Sequence, residues 1–297
     1  MSEATVEEVR GSDELGTVGG VVATVALVVA SVAAVWLGLD GQVDPTSGEA
    51  QTKLLWIGWI AFVSMGAAAW VGARVPRERA RVLVWGYGLA SGAMITSASV
   101  FLLPQAIAQS KTFGGFGIAL GLLVGYAAHA LGHRLAHVDY PGDRAIVELT
   151  AHALSAGLII GVIYANVPDL GLLLGLSIVS HKGPAGYAAA NRYTARGGDW
   201  RAVLIPAAGV GVAALASSAV ALPTNAAVRG IVFGFATGVF VHVATDFLPR
   251  CELGSEIHEA LSVEGDAHEL LDRLRTHAVA STTLGGLAVF LAWLAVV

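Results

Sequence analysis

The side chains able to do chemistry here sit inside long apolar stretches. His152 lies in Ala151-His152-Ala153-Leu154-Ser155-Ala156-Gly157, and His181 and Lys182 lie in Ser180-His181-Lys182-Gly183-Pro184-Ala185-Gly186. An ionisable group within a membrane span calls for a partner, a wet cavity or a function. Imidazole suits zinc, iron and manganese, so two imidazoles on adjacent helices are candidate metal ligands. Residues i and i+4 share a helix face. The i+4 partners here are Ala156 and Ala185, so a metal would need helpers. The candidates are Ser155, Ser180, His242 and Asp246, of which the last two are themselves i, i+4. Lys182 complicates such a site. An ammonium repels a dication by about 8 kcal/mol at 4 Å and an effective dielectric of 20. Lys182 therefore points away, is deprotonated, or stands in for the metal with Asp246 or Glu148 as counter-ion. Successive helix positions diverge by about 100°, so His181 and Lys182 can face different cavities.

His129, His133 and His137 form a second set at i, i+4, i+8, followed by Asp139. Two histidines one turn apart can share a zinc ion. This run is a candidate metal-collecting site at the cytoplasmic mouth. Each group also has a plain structural reading: a hydrogen-bonded packing histidine, a snorkelling lysine, an interfacial carboxylate for Glu148 and Asp246, a polar helix end for the histidine run.

The elements that must hold these groups are membrane helices. The 297 residues are 55% hydrophobic and only 13% charged, about half the charge of a soluble domain. A span needs roughly 20 apolar residues. Nine candidates occur, at about 17–39, 53–73, 82–104, 114–136, 146–166, 169–190, 202–222, 227–249 and 276–296. Pro184 removes a backbone donor and frees the carbonyl near Ser180, so the sixth span is expected to kink beside the polar groups. The single Cys251 excludes an intramolecular disulfide. A net charge of −5 gives no basic patch, so nucleic acid is not an expected partner. No P-loop, Ser/His/Asp or His-Glu-x-x-His arrangement is present, and an enzyme is not expected.

Lysine and arginine in the loops orient the chain. With residues 1–16 as a cytoplasmic tail, the inner segments hold Arg10, then Arg74, Arg77, Arg79 and Arg81, then Arg134 and Arg144, then Arg192, Arg196 and Arg201, then Arg250, Arg273 and Arg275, and the outer ones only Lys53, Lys111 and Arg229. The expected protein is multi-pass in the cell membrane, its N-terminus cytoplasmic and its C-terminus outside. The third span (Gly88-Leu89-Ala90-Ser91-Gly92, closing in Phe101-Leu102-Leu103-Pro104) and the eighth (Gly234-Phe235-Ala236-Thr237-Gly238, closing in Phe247-Leu248-Pro249) look alike and cross in opposite directions. An inverted repeat, common in secondary transporters, gives that pattern; chance among Gly/Ala-rich spans is the alternative.

These residues resemble the ZIP (Zrt/Irt-like) family of divalent-metal transporters over residues 53–297, with 17–39 as an extra N-terminal helix before an eight-helix core. The family's His-Asn-x-Pro-Asp/Glu-Gly pattern aligns with His152-Ala153-Leu154-Ser155-Ala156-Gly157. Its His/Gln-Glu/Asp-x-Pro-Glu/His-Gly pattern aligns with His181-Lys182-Gly183-Pro184-Ala185-Gly186, and its His-Leu-Leu-Pro-Glu with Phe101-Leu102-Leu103-Pro104-Gln105. The run His129, His133, His137 falls where the family often has a histidine-rich loop. Ala153, Ala156, Lys182 and Ala185 depart from the family's ligands, and a two-metal centre is not expected.

The resemblance implies an all-α secondary transporter moving a divalent metal toward the cytoplasm by elevator-like or rocking motion, without ATP. Zinc is the first choice of substrate, with iron, manganese and cadmium behind it. His152 and His181 would be the ligands, Lys182 and Asp246 would set the local charge, and no resident cofactor is implied. The lipid bilayer is the expected partner, and small-residue helix faces permit a homodimer. The alternative is a degenerate, non-transporting homologue with a regulatory or sensor role in which Lys182 replaces the metal; a further alternative is a carrier of an anion or small organic solute that uses Lys182 as the attracting charge.

Overall fold

The computed structural model describes residues 3–39, 45–75, 80–135, 144–167, 172–220, 222–223, 225–246, 248 and 267–296. Among them every regular element is a helix: α1 (Glu3–Leu39), α2 (Pro45–Gly72), α3 (Ala80–Ser97), a π-helical turn (Ala98–Leu102), α4 (Leu103–Gln109), α5 (Lys111–Leu135), α6 (Arg144–Asn166), α7 (Leu172–Val179), α8 (Lys182–Ala195), a 3-10 turn (Trp200–Val203), α9 (Leu204–Ser217), α10 (Ala226–Asp246) and α11 (Ala267–Val296). Eight apolar stretches among the described residues are long enough to cross a membrane, from Gly16–Leu37 to Arg273–Ala295. Their outer faces are apolar too: Val18, Val22, Val29 and Trp36 of α1 are each about 60% exposed. A helix that is apolar and yet open on its outer face has lipid as its solvent. The protein is an all-α polytopic membrane protein.

Nine crossings are expected from sequence, and eight match these helices one for one. The sixth, 169–190, is instead two shorter helices, α7 and α8, separated by a turn at Ser180–His181. The eight residues of α7 rise only about 12 Å. Pro184 accounts for the break. Its ring would collide with the carbonyl of Ser180, four residues earlier, in a continuous helix. As the third residue of α8 it sits in the first turn, where a missing N–H costs nothing.

The chain divides into two compact units: 1–76, 132–172 and 182–222 in the first, 77–131, 173–181 and 223–297 in the second. The first gathers α1, α2, α6, α8 and α9. Glycines let its helices touch backbone to backbone. A Cβ on Gly58 of α2 would stand 2.8 Å from Gly211 Cα of α9, and one on Gly157 or Gly161 of α6 would strike the carbonyls of Val210 and Ala214. Met65, Ala69, Ala190, Val203 and Ala207 fill the centre. Asn191 of α8 closes the end of α2, donating from Nδ2 to the carbonyls of Gly72 (2.9 Å) and Val75 (2.6 Å).

In the second unit α3 pairs with α11 and α5 with α10. Gly88 and Gly92 meet Ser281 and Thr282, and Gly285 meets Leu89. Trp85 Nε1 donates to His277 Nδ1 at 3.2 Å across the first pair. Gly117, Gly121 and Gly125 pack in turn on Ile231, Phe235 and His242, so α5 and α10 run parallel.

Candidate functional site

His152 sits on the second turn of the α6 span, partly buried. Its neighbour across the first unit is Lys182, the opening residue of α8, whose charge acts on the imidazole. Lys182 is 1% exposed, and its Nζ has no hydrogen-bond partner among the described residues. The break explains why a lysine lies there. A first-turn side chain leans toward the helix N-terminus, because Cα–Cβ bonds tilt that way, and the turn at Ser180–His181 leaves it inside the protein.

Around this pair the expected ligand positions are apolar and closed. Ala153, Ala156 and Ala185 are 0%, 7% and 5% exposed. Ser155 is exposed, and its hydroxyl donates to the His152 carbonyl at 2.9 Å, so it serves its own helix. Glu148 lies one turn before His152, exposed at the start of the span. Ser64 of α2 comes to the first turn of α8: its Oγ stands 3.3 Å from where a Cβ on Gly183 would be. No sequence pattern singles out Ser64, which lies between apolar neighbours on a helix 118 positions away from Lys182.

His181 and Ser180 form the turn itself, His181 being 1% exposed. They belong to the second unit, as do His242 and Asp246. The last two are brought together: His242 Nε2 lies 3.1 Å from Asp246 Oδ2 on α10, with the imidazole packed where Gly125 has no side chain. His129 and His133 are on α5, with side chains outside the described set; His137 and Asp139 lie outside the described residues. Among the described residues no three His, Cys, Asp or Glu side chains gather in an arrangement able to hold a metal ion.

A polar cluster that sequence reasoning missed ties α1 to the turn before α9. Asp199 caps the 3-10 turn by accepting from the Arg201 backbone N–H at 3.0 Å, and accepts from Thr17 Oγ1 at 2.6 Å and from Arg201 Nη1 at 2.9 Å. Burial pushes its carboxyl up, but the Arg201 N–H, the Thr17 hydroxyl and the Arg201 guanidinium outweigh it and hold the group below the usual carboxylate range. Comparison with protein-family models and with curated protein sequences finds no match.

Proposed function

We propose that the protein is a ZIP-like secondary transporter with a divalent transition metal, zinc first, as its substrate. The observation that carries the reading is the broken helix pair α7–α8, which buries His181 and Lys182 within an otherwise apolar chain. Ionisable groups at a helix break inside a membrane protein are what a transport site requires, since broken backbone is tolerated only where protein or cavity covers it. The division into two compact units supports a mechanism in which one helix group moves against another. The substrate comes from the resemblance, which assigns binding to His152 and His181. In this reading the protein is multi-pass in the cell membrane, N-terminus inside, C-terminus outside. The test is zinc and cadmium uptake by proteoliposomes holding the wild type, His152→Ala or His181→Ala. Uptake above empty vesicles in the wild type and its loss in both variants is expected. Folded wild-type protein that moves neither metal overturns the reading.

One observation favours a second reading. Lys182 is buried beside His152, and the positions where acids would help hold a dication are buried alanines. A tethered ammonium at this place repels a second cation. The chain is then a non-transporting homologue with a regulatory or sensor role, Lys182 replacing the metal. Absent uptake in the wild type favours this reading, and uptake gained on Lys182→Met would assign the block to the ammonium; uptake by the wild type itself favours the first.

A further inference from the structure

We infer that the N-terminus of α8 is a binding site for a small monovalent anion of chloride size, held by Lys182 and the first turn of that helix. Two positive poles meet there. Lys182 Nζ is buried, with no hydrogen-bond partner among the described residues, so no described carboxylate neutralises it. An ammonium left so costs several kcal/mol. The second pole is the helix end. The first-turn N–H groups of Lys182 and Gly183 have no acceptor within α8, Pro184 has none to satisfy, and the 14-residue helix places its positive dipole end among them. A cation at a helix N-terminus is normally disfavoured. An anion between ammonium and helix end offsets both at once, which is the general basis of anion capture at helix N-termini.

The polar groups beside it, among apolar neighbours, are donors. Gly183 has no side chain to cover the first turn, and the Ser64 hydroxyl lies against it. His152, on which the ammonium acts, offers a hydrogen bond. Guanidinium is not among these groups, so the site lacks the planar fork that selects carboxylate or phosphate, and a spherical ion fits it best. The inference rests on the buried ammonium and not on the transport reading.

The test is a titration of the full-length, detergent-solubilised protein with sodium chloride against sodium gluconate at constant ionic strength, reading the excess 35Cl linewidth. A saturable excess that bromide displaces, and that Lys182→Met abolishes, is expected. Absence of a saturable excess in the wild type overturns the proposal, as does its persistence in Lys182→Met. Ser64→Ala keeps the charge and the fold of the lysine variant is not needed for it. Its half-saturating chloride concentration is expected to rise about tenfold, the equivalent of 1.4 kcal/mol. An unchanged value overturns the assignment to this helix end. Failure of zinc uptake with the chloride signal intact defeats the transport reading and leaves this one standing.

Discussion

Single side chains in this protein take their properties from partners that lie far away in sequence. Asp199 and Thr17 are 182 positions apart, yet their 2.6 Å hydrogen bond fixes the first helix to the turn before α9. Because Asp199 titrates below its unfolded value of about 3.9, its contribution to stability is complete above that pH and fades as pH falls through the lowered folded value. Asn can cap the same turn but carries no charge. Asp199→Asn is therefore expected to flatten the acid limb of the unfolding midpoint, measured in detergent from pH 6 to pH 2. Asp199→Ala, which also loses the cap, is expected to lose about 0.5–2 kcal/mol at neutral pH. A wild-type acid limb reproduced by Asp199→Asn would assign the dependence to another group. His152, His181 and Lys182 are legible in sequence, since an ionisable residue in an apolar run declares itself. That Lys182 faces His152, and that Ser64 reaches Gly183, is not legible, because both contacts join helices whose facing sides no single-chain pattern reveals.

The helices follow from apolar runs and their punctuation. Eight spans are readable because roughly 20 apolar residues have no other stable use. Pro184 marks the break in the sixth, although its consequence, two helices with a turn at Ser180–His181, goes beyond a kink. The glycines carry the pairing information in a form that sequence hides. Gly115 and Gly117 lie two residues apart on α5 and look equivalent. A Cβ on Gly115 meets nothing within 4 Å, while one on Gly117 would strike the Ile231 carbonyl of α10. Gly115→Ala removes backbone freedom at no steric cost and is expected to stabilise by up to about 1 kcal/mol. Gly117→Ala forces the two helices apart and is expected to destabilise by about 1–3 kcal/mol. Unfolding midpoints of the two variants decide it, and equal shifts of the same sign would mean that α5 does not pack on α10 by this face.

At the scale of the whole chain the crossing count is a matter of parity, and the parallel run of α5 and α10 requires an odd number of crossings between them. Eight long helices plus the pair α7–α8 give nine crossings only if the broken pair spans the membrane. The charges argue that it does. With the pair counted as a crossing, Arg192, Arg196 and Arg201 fall on the same side as Arg74 and Arg144, and Arg229 falls opposite with Lys53 and Lys111. Without it, every segment after α8 changes sides. Arg192, Arg196, Arg201, Arg250 and Arg273 would then lie opposite Arg74 and Arg144, leaving Arg229 on their side, and the charge bias would be reversed over that half of the chain. A Cys251→Ser background carrying Lys111→Cys or Arg196→Cys tests this in whole cells. A membrane-impermeant maleimide is expected to label Cys at 111 directly and Cys at 196 only after permeabilisation. Direct labelling at both positions would make α7–α8 a re-entrant pair, leave eight crossings, and return the C-terminus to the side of the N-terminus.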